Sequence, residues 1–128
     1  MVSQRSSMEM KTILVVEDDP FAGEVMQLTL SIELPHHTKL VTSSREALEV
    51  VSHQQVTLFI IDYHLADMNG IDLSDVLHRN PTHEHVPTII TTDDLTHHQQ
   101  ALAERCLIGI PKPFDLDRLI ETIEHVVG

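Results

Sequence analysis

The sequence predicts an α/β fold, a doubly wound five-stranded parallel sheet with helices on both faces. Short apolar runs rich in β-branched residues alternate with longer amphipathic stretches, which is the pattern of parallel strands joined by crossover helices. A chain of 128 residues suits a single domain. A hydrophobic content of 41% is enough for one core and excludes bulk disorder.

The polar stretch Met1–Met10 reads as a disordered tail, with the folded domain running over 11–127. Thr12–Val16 is apolar and β-branched, which suits a strand buried on both faces. Asp19 can cap the helix that follows, with Pro20 at its first position. Phe21, Val25, Leu28 and Ile32 then share one helical face and read as core packing. Thr38–Thr42 is a second strand, and Ser43 with Glu46 forms a capping box for a helix carrying Ala47, Leu48, Val50 and Val51. Val56–Ile61 is a third strand that stops at Asp62. A loop runs from there to Gly70, and a helix over 70–79 is broken by Asn80-Pro81. Val86–Thr91 is the fourth strand, Leu95–Glu104 a helix of poor apolar period, and Leu107–Ile110 the last strand. Leu116, Leu119, Ile120, Ile123, Val126 and Val127 repeat at three and four, with Asp115 at the cap and Phe114 placed to pack on Leu119.

Charge narrows the function. Eight Lys and Arg against 20 Asp and Glu give a net charge of −12. That field repels a phosphate backbone and an anionic bilayer, so direct nucleic-acid or membrane binding is not expected. No apolar run approaches the roughly 18 residues of a membrane span. The one cysteine, Cys106, allows no internal disulfide and suits a reducing cytoplasm. Its place before an apolar strand reads as a buried thiol.

In a parallel α/β sheet the site lies at the carboxyl ends of the strands. Glu17 and Asp18 end the first strand, Asp62 the third, Thr92 the fourth, and Lys112 follows the fifth. Three converging carboxylates repel one another unless a cation holds them, and hard oxygen donors suit Mg²⁺. A nearby ammonium can neutralise an anion. Metal, ammonium and carboxylate together suit phosphoryl transfer to an aspartate.

Four segments now resemble the receiver domain of two-component response regulators. They are Ile13 through Pro20, Asp62 through Gly70, Pro87 through Thr92, and Lys112-Pro113-Phe114, and the resemblance covers Lys11 to Val127. It implies a flavodoxin-like (βα)5 fold with strand order 2-1-3-4-5. It also implies that Asp62 is the phosphoacceptor for a histidine kinase or phosphotransfer protein. Asp18 would bind Mg²⁺ directly, Glu17 through water, and His64 through its backbone carbonyl. Thr92 matches the switch hydroxyl, Lys112 the phosphate-binding lysine, and the bond to Pro113 is usually cis in this family. Such a domain is a signalling switch with self-phosphorylation and self-dephosphorylation, not a metabolic enzyme. It acts through a downstream partner or output domain, and self-association stays open.

The departures from the family pattern concern output more than chemistry. Glu17 stands where Asp is frequent, Ala66 where proline is frequent, and Asp93 where a small residue usually follows the switch hydroxyl. Gly109 occupies the usual aromatic switch position, three before Lys112, and the preceding segment is about two residues short by comparison with the family. Output is therefore expected to travel through 92–104, or through a partner filling the gap that the glycine leaves beside the last strand. Three alternatives compete with this reading. A phosphatase of similar chemistry wants an acid where His64 stands. A flavin-binding domain wants a phosphate loop where Glu17, Asp18 and Asp19 stand. A degenerate receiver, acting only as an interaction module, would not need Asp62, Thr92 and Lys112. The histidine pairs His36-His37, His83 with His85, and His97-His98 show no metal-ligand spacing and read as solvated.

Overall fold

The computed structural model describes residues 11–127. The expected tail over 1–10 lies outside the described residues. Among the described residues, five strands form one parallel sheet: β1 (Thr12–Val16), β2 (His37–Val41), β3 (Leu58–Asp62), β4 (Thr88–Thr92) and β5 (Ile108–Pro111). Their order is β2-β1-β3-β4-β5, as expected. The crossovers carry α1 (Pro20–Glu33), α2 (Ser44–His53), α3 (Gly70–Leu77) and α4 (Leu95–Glu104), and α5 (Leu116–Val127) closes the domain.

Alternating strand side chains feed two cores. Leu14, Val16, Phe59, Ile61 and Ile90 pack with Ala47, Val50, Leu73, Leu77 and Leu102 on the face that α2, α3 and α4 cover. Ile13, Val15, Leu58, Ile60, Ile89 and Ile110 pack with Met26, Leu30, Leu119 and Ile123 under α1 and α5. Burial on both faces is why β1 and β3 read as continuous apolar runs rather than alternating ones. Asp19 caps α1 by accepting from Phe21 N–H and Ala22 N–H, as its position predicts. Ser43 accepts from Glu46 N–H at 3.1 Å, but Glu46 turns back to Thr42 instead of closing the box on Ser43.

Three expectations are corrected. The face of α1 bearing Phe21, Val25, Leu28 and Ile32 is exposed, at 77%, 41%, 63% and 70%. The buried face is Gly23, Met26 and Leu30. The helix carries two apolar stripes, and helical period alone does not say which one meets the sheet. Cys106 is exposed, not buried. It sits just past the α4 C-terminus at φ 56°, where a left-handed residue lets Cys106 N–H reach Ala103 O and Leu107 N–H reach Leu102 O. That position turns its thiol away from the core that Leu102 enters.

The third correction is His83, which is buried, not solvated. Its Nε2 accepts from Val56 N–H at 3.1 Å, and Nδ1 lies 2.9 Å from Thr82 Oγ1. Accepting at Nε2 requires the neutral ring, and burial holds its pKa below the ordinary histidine value. The unfolded chain therefore binds more protons, so this contribution is intact above the unfolded pKa and is lost as pH falls from there toward the folded value. Lowering the pH from about 7.5 to about 5.5 should cut the urea midpoint of the wild type more than that of His83→Gln, since the ordinary histidine pKa is about 6.5. An equal drop in both proteins would assign the acid sensitivity to other groups.

Candidate functional site

The carboxyl ends of the strands gather the expected residues. Glu17, just past β1, and Asp62, the last residue of β3, are both buried, and Asp18 is half-buried. Their carboxylate oxygens lie within 4.8 Å of one another. Lys112 follows β5 and reaches across the sheet edge. Its Nζ is 3.0 Å from Asp62 Oδ1 and 3.3 Å from Glu17 Oε1. Two further donors hold the acids in place. Asp19 N–H donates to Glu17 Oε2 at 3.2 Å, and His64 N–H donates to Asp62 Oδ1 at 3.3 Å.

The electrostatics follow from this packing. Burial pushes the Glu17 carboxyl above its ordinary pKa, and the Asp62 charge adds to the rise, while Asp19 N–H and the Lys112 ammonium offset part of it. Burial alone would lower the Lys112 pKa. The hydrogen bond and charge of Asp62, with Glu17 behind them, outweigh burial and raise it. Three carboxylates against one ammonium leave two negative charges in a partly desolvated pocket. An all-oxygen, doubly negative donor set of this kind fits a hard divalent cation such as Mg²⁺.

Thr92 is fully buried at the end of β4, and its Oγ1 accepts from Asp94 N–H at 3.1 Å. Its carbonyl accepts from Lys112 N–H, which ties the β4 end to the lysine. The Lys112–Pro113 bond is cis, as the family resemblance implies. His64 lies on the loop after β3, and its exposed ring points its Nε2 at Asp93 Oδ1, 3.2 Å away.

Two site-forming residues carried no chemical signal in the sequence. Gly70 opens α3 directly against the end of β3. A Cβ there would lie 2.6 Å from the Asp62 carbonyl oxygen and 3.0 Å from Tyr63 Cα. Asp67 pins the same loop to α2 by accepting from Ser44 Oγ at 2.5 Å, and this bond holds its carboxyl below the ordinary range. Both lie in the segment from Asp62 through Gly70 that carries the resemblance, which assigns neither of them a role, and the structure shows what they touch.

Gly109 also acquires a physical meaning. A Cβ at this position would collide with Leu95 Cδ1 and would lie 2.7 Å from Leu102 Cδ1. The space beside β5 is thus filled by leucines of α4, and position 109 has no side chain to rotate.

A five-stranded sheet in this order, with a carboxylate cluster and a lysine at its carboxyl edge, defines a receiver-type domain. The family model for the response regulator receiver domain matches residues 13–124. The chain belongs to that family, the receivers of two-component and phosphorelay signalling. It is 33% identical over 119 residues to the transcriptional regulatory protein ZraR of Escherichia coli, covering 91% of this chain and 26% of ZraR. It is 26% identical over 124 residues to the signal transduction histidine-protein kinase BarA of Escherichia coli, covering 92% of this chain and 13% of BarA. The chain therefore spans only a minor part of the length of these relatives. The response regulator TrrA of Thermotoga maritima, solved in complex with Mg²⁺-BeF, shares the fold at a TM-score of 0.79. It is 23% identical, with 91% of this chain and 99% of that one covered. Among the described residues no helix is long and apolar enough to cross a membrane.

Proposed function

We propose that Asp62 is a phosphoacceptor, charged by a phosphohistidine on a histidine kinase or phosphotransfer protein in the cytoplasm. The observation that carries this reading is Lys112 Nζ held on both Asp62 and Glu17 beside the carboxylate cluster. An Asp62 oxygen forms a bond to phosphorus as the donor's P–N bond breaks, and the imidazole leaves with its electron pair. Lys112 stays on the charge that builds at the transferred group. Thr92, freed from Asp94 N–H, can donate its hydroxyl to a phosphoryl oxygen. Glu17, Asp18, Asp62 and the backbone carbonyl of His64 are the residues that would hold Mg²⁺. When bound, Mg²⁺ supplies positive charge for the phosphoryl oxygens.

The exposed stripe of α1 supports a protein as donor. Phe21 and Val25 line one groove with Glu17, Lys112, Pro113 and Phe114, so an apolar surface runs from the site onto the helix. Large exposed apolar residues in one row mark an interaction face. Among the described residues α1 has no basic side chain and carries Glu24 and Glu33, which favours a partner with a basic rim around an apolar strip.

One assay tests both parts. With acetyl phosphate and Mg²⁺, intact mass should show one added phosphoryl group on the wild type. Asp62→Asn, or the wild type with a chelator, should show almost none. Leu28→Ser should match the wild type with acetyl phosphate yet slow transfer from a phosphorylated histidine protein by about tenfold, the effect of losing ~1.4 kcal/mol of contact. Full labelling of Asp62→Asn would refute the acceptor, and an unchanged protein-donor rate in Leu28→Ser would remove the stripe from the interface.

A further inference from the structure

The loop between β3 and α3 carries one acid that the acceptor chemistry does not use. His64 and Asn69 face each other as an antiparallel pair at the base of this loop, and Gly70 N–H donates to Tyr63 O at 2.8 Å. Residues 65–68 lie between those fixed ends. The His64 carbonyl shares its peptide plane with Leu65 N–H, and in a trans peptide the two point in opposite directions. Leu65 N–H donates to Tyr63 O, two residues back, at 3.2 Å, a short-range bond that fixes the plane loosely. Ala66 adds no restraint, since it lacks the ring that holds φ in proline.

Asp67 supplies the restraint. Its Oδ2 accepts from Ser44 Oγ at 2.5 Å and its Oδ1 from Ser44 N–H at 3.3 Å. Ser44 is buried and opens α2. Its neighbours are engaged elsewhere: Ser43 accepts from Glu46 N–H, and Glu46 accepts from Thr42. Asp67 thus takes a backbone donor of the first turn that α2 itself leaves unpaired.

We propose that the Ser44–Asp67 pair is a positioning brace: it holds the loop after β3 so that the His64 carbonyl faces the Glu17, Asp18 and Asp62 carboxylates as a ligand for Mg²⁺. This rests on the metal ligands proposed above. Neither side chain of the pair belongs to the carboxylate cluster, so the brace acts through the backbone alone. Mg²⁺ demands near-octahedral oxygens at short distance, whereas Ca²⁺ accepts irregular and flexible sets. A loosened carbonyl therefore weakens Mg²⁺ more than Ca²⁺. Loss of the Asp67 charge, acting at a distance, would weaken two divalent ions alike.

The test titrates the whole chain with Mg²⁺ and, separately, with Ca²⁺, well below the thermal midpoint of each variant. Emission of Tyr63, the one tyrosine in a chain without tryptophan, reads the dissociation constant. The rise in thermal midpoint with metal concentration reads it independently. Ser44→Ala and Asp67→Ala should each raise the Mg²⁺ constant by about three- to tenfold, the effect of one lost hydrogen bond to a charged group. Their Ca²⁺ constants should rise by less than about twofold. The double variant should go no further than the larger single effect. Asp67→Asn keeps an oxygen for Ser44 and should stay within about twofold of the wild type. The brace is overturned if Ser44→Ala leaves the Mg²⁺ constant unchanged, if Mg²⁺ and Ca²⁺ weaken equally, or if the two single effects multiply. It is also overturned if Asp67→Asn weakens Mg²⁺ as much as Asp67→Ala, which would assign the effect to charge. A wild type that binds Mg²⁺ but takes up no phosphoryl group from acetyl phosphate would overturn the acceptor and leave the brace standing. A wild type that binds no Mg²⁺ would overturn the metal ligands and the brace with them.

Discussion

Lys112→Ala should lose phosphoryl uptake by about a hundredfold or more and loosen the unliganded fold at the same time, since a preorganised donor to developing charge is worth roughly 10²–10³ in rate. The two effects have one origin. The ammonium lies 3.0 Å from Asp62 Oδ1 and 3.3 Å from Glu17 Oε1, and both carboxylates are buried. Removing it leaves three acids facing one another with no protein cation on them. Breaking a fully buried pair costs about 3–5 kcal/mol. Lys112 keeps 28% of its side-chain surface in water, so a loss of about 1–3 kcal/mol is the better expectation. Mg²⁺ should restore part of the urea midpoint of the variant and none of its ability to stabilise the phosphoryl group. An unchanged midpoint without Mg²⁺ would mean that the lysine serves the phosphorylated state alone.

Gly70→Ala should disturb the site without touching a chemical group. The new methyl would sit 2.6 Å from the Asp62 carbonyl oxygen and 3.0 Å from Tyr63 Cα and Ile61 Cγ2. Two of these three neighbours are backbone atoms in or beside a buried central strand, which cannot swing aside. Overpacking of this kind costs typically about 1–3 kcal/mol. The gain in helix propensity from Gly to Ala is at most about 1 kcal/mol and is smaller at a first helical position. The clash should win, lowering the thermal midpoint and slowing uptake as α3 pushes the end of β3. Wild-type stability and rate together would show that α3 can slide away without cost.

The architecture was legible because β1 and β3 are apolar on both sides and the α1 and α2 crossovers have local start signals. Asp19 and Ser43 accept from the first turns of α1 and α2, and strand-end logic alone brought Glu17, Asp18, Asp62, Thr92 and Lys112 to one edge. What stayed hidden depends on relations that period and composition do not encode. Two apolar stripes on α1 are equivalent until the sheet chooses Met26 and Leu30 over Leu28 and Ile32. His83 looks like any loop histidine until Val56 N–H needs an acceptor. Cys106 looks like a core thiol because it precedes Leu107 and Ile108, yet the helix end demands a left-handed residue there. Gly70 is a contact between α3 and the end of β3, and the pairing of His64 with Asp93 is a contact between loops, fixed only once β3 and β4 lie side by side.

The most direct measurement is the identity of the residue that carries the phosphoryl group. The chain is charged with acetyl phosphate and Mg²⁺, then reduced with borohydride, which converts an aspartyl acyl phosphate to homoserine and releases phosphate. Peptide mass spectrometry then reads the modified position. The expected result is homoserine at position 62 alone, absent when Mg²⁺ is chelated. Homoserine at Asp18, Asp93 or any other acid, or none in a folded protein that has met donor and metal, would contradict the assignment of Asp62 as the phosphoacceptor.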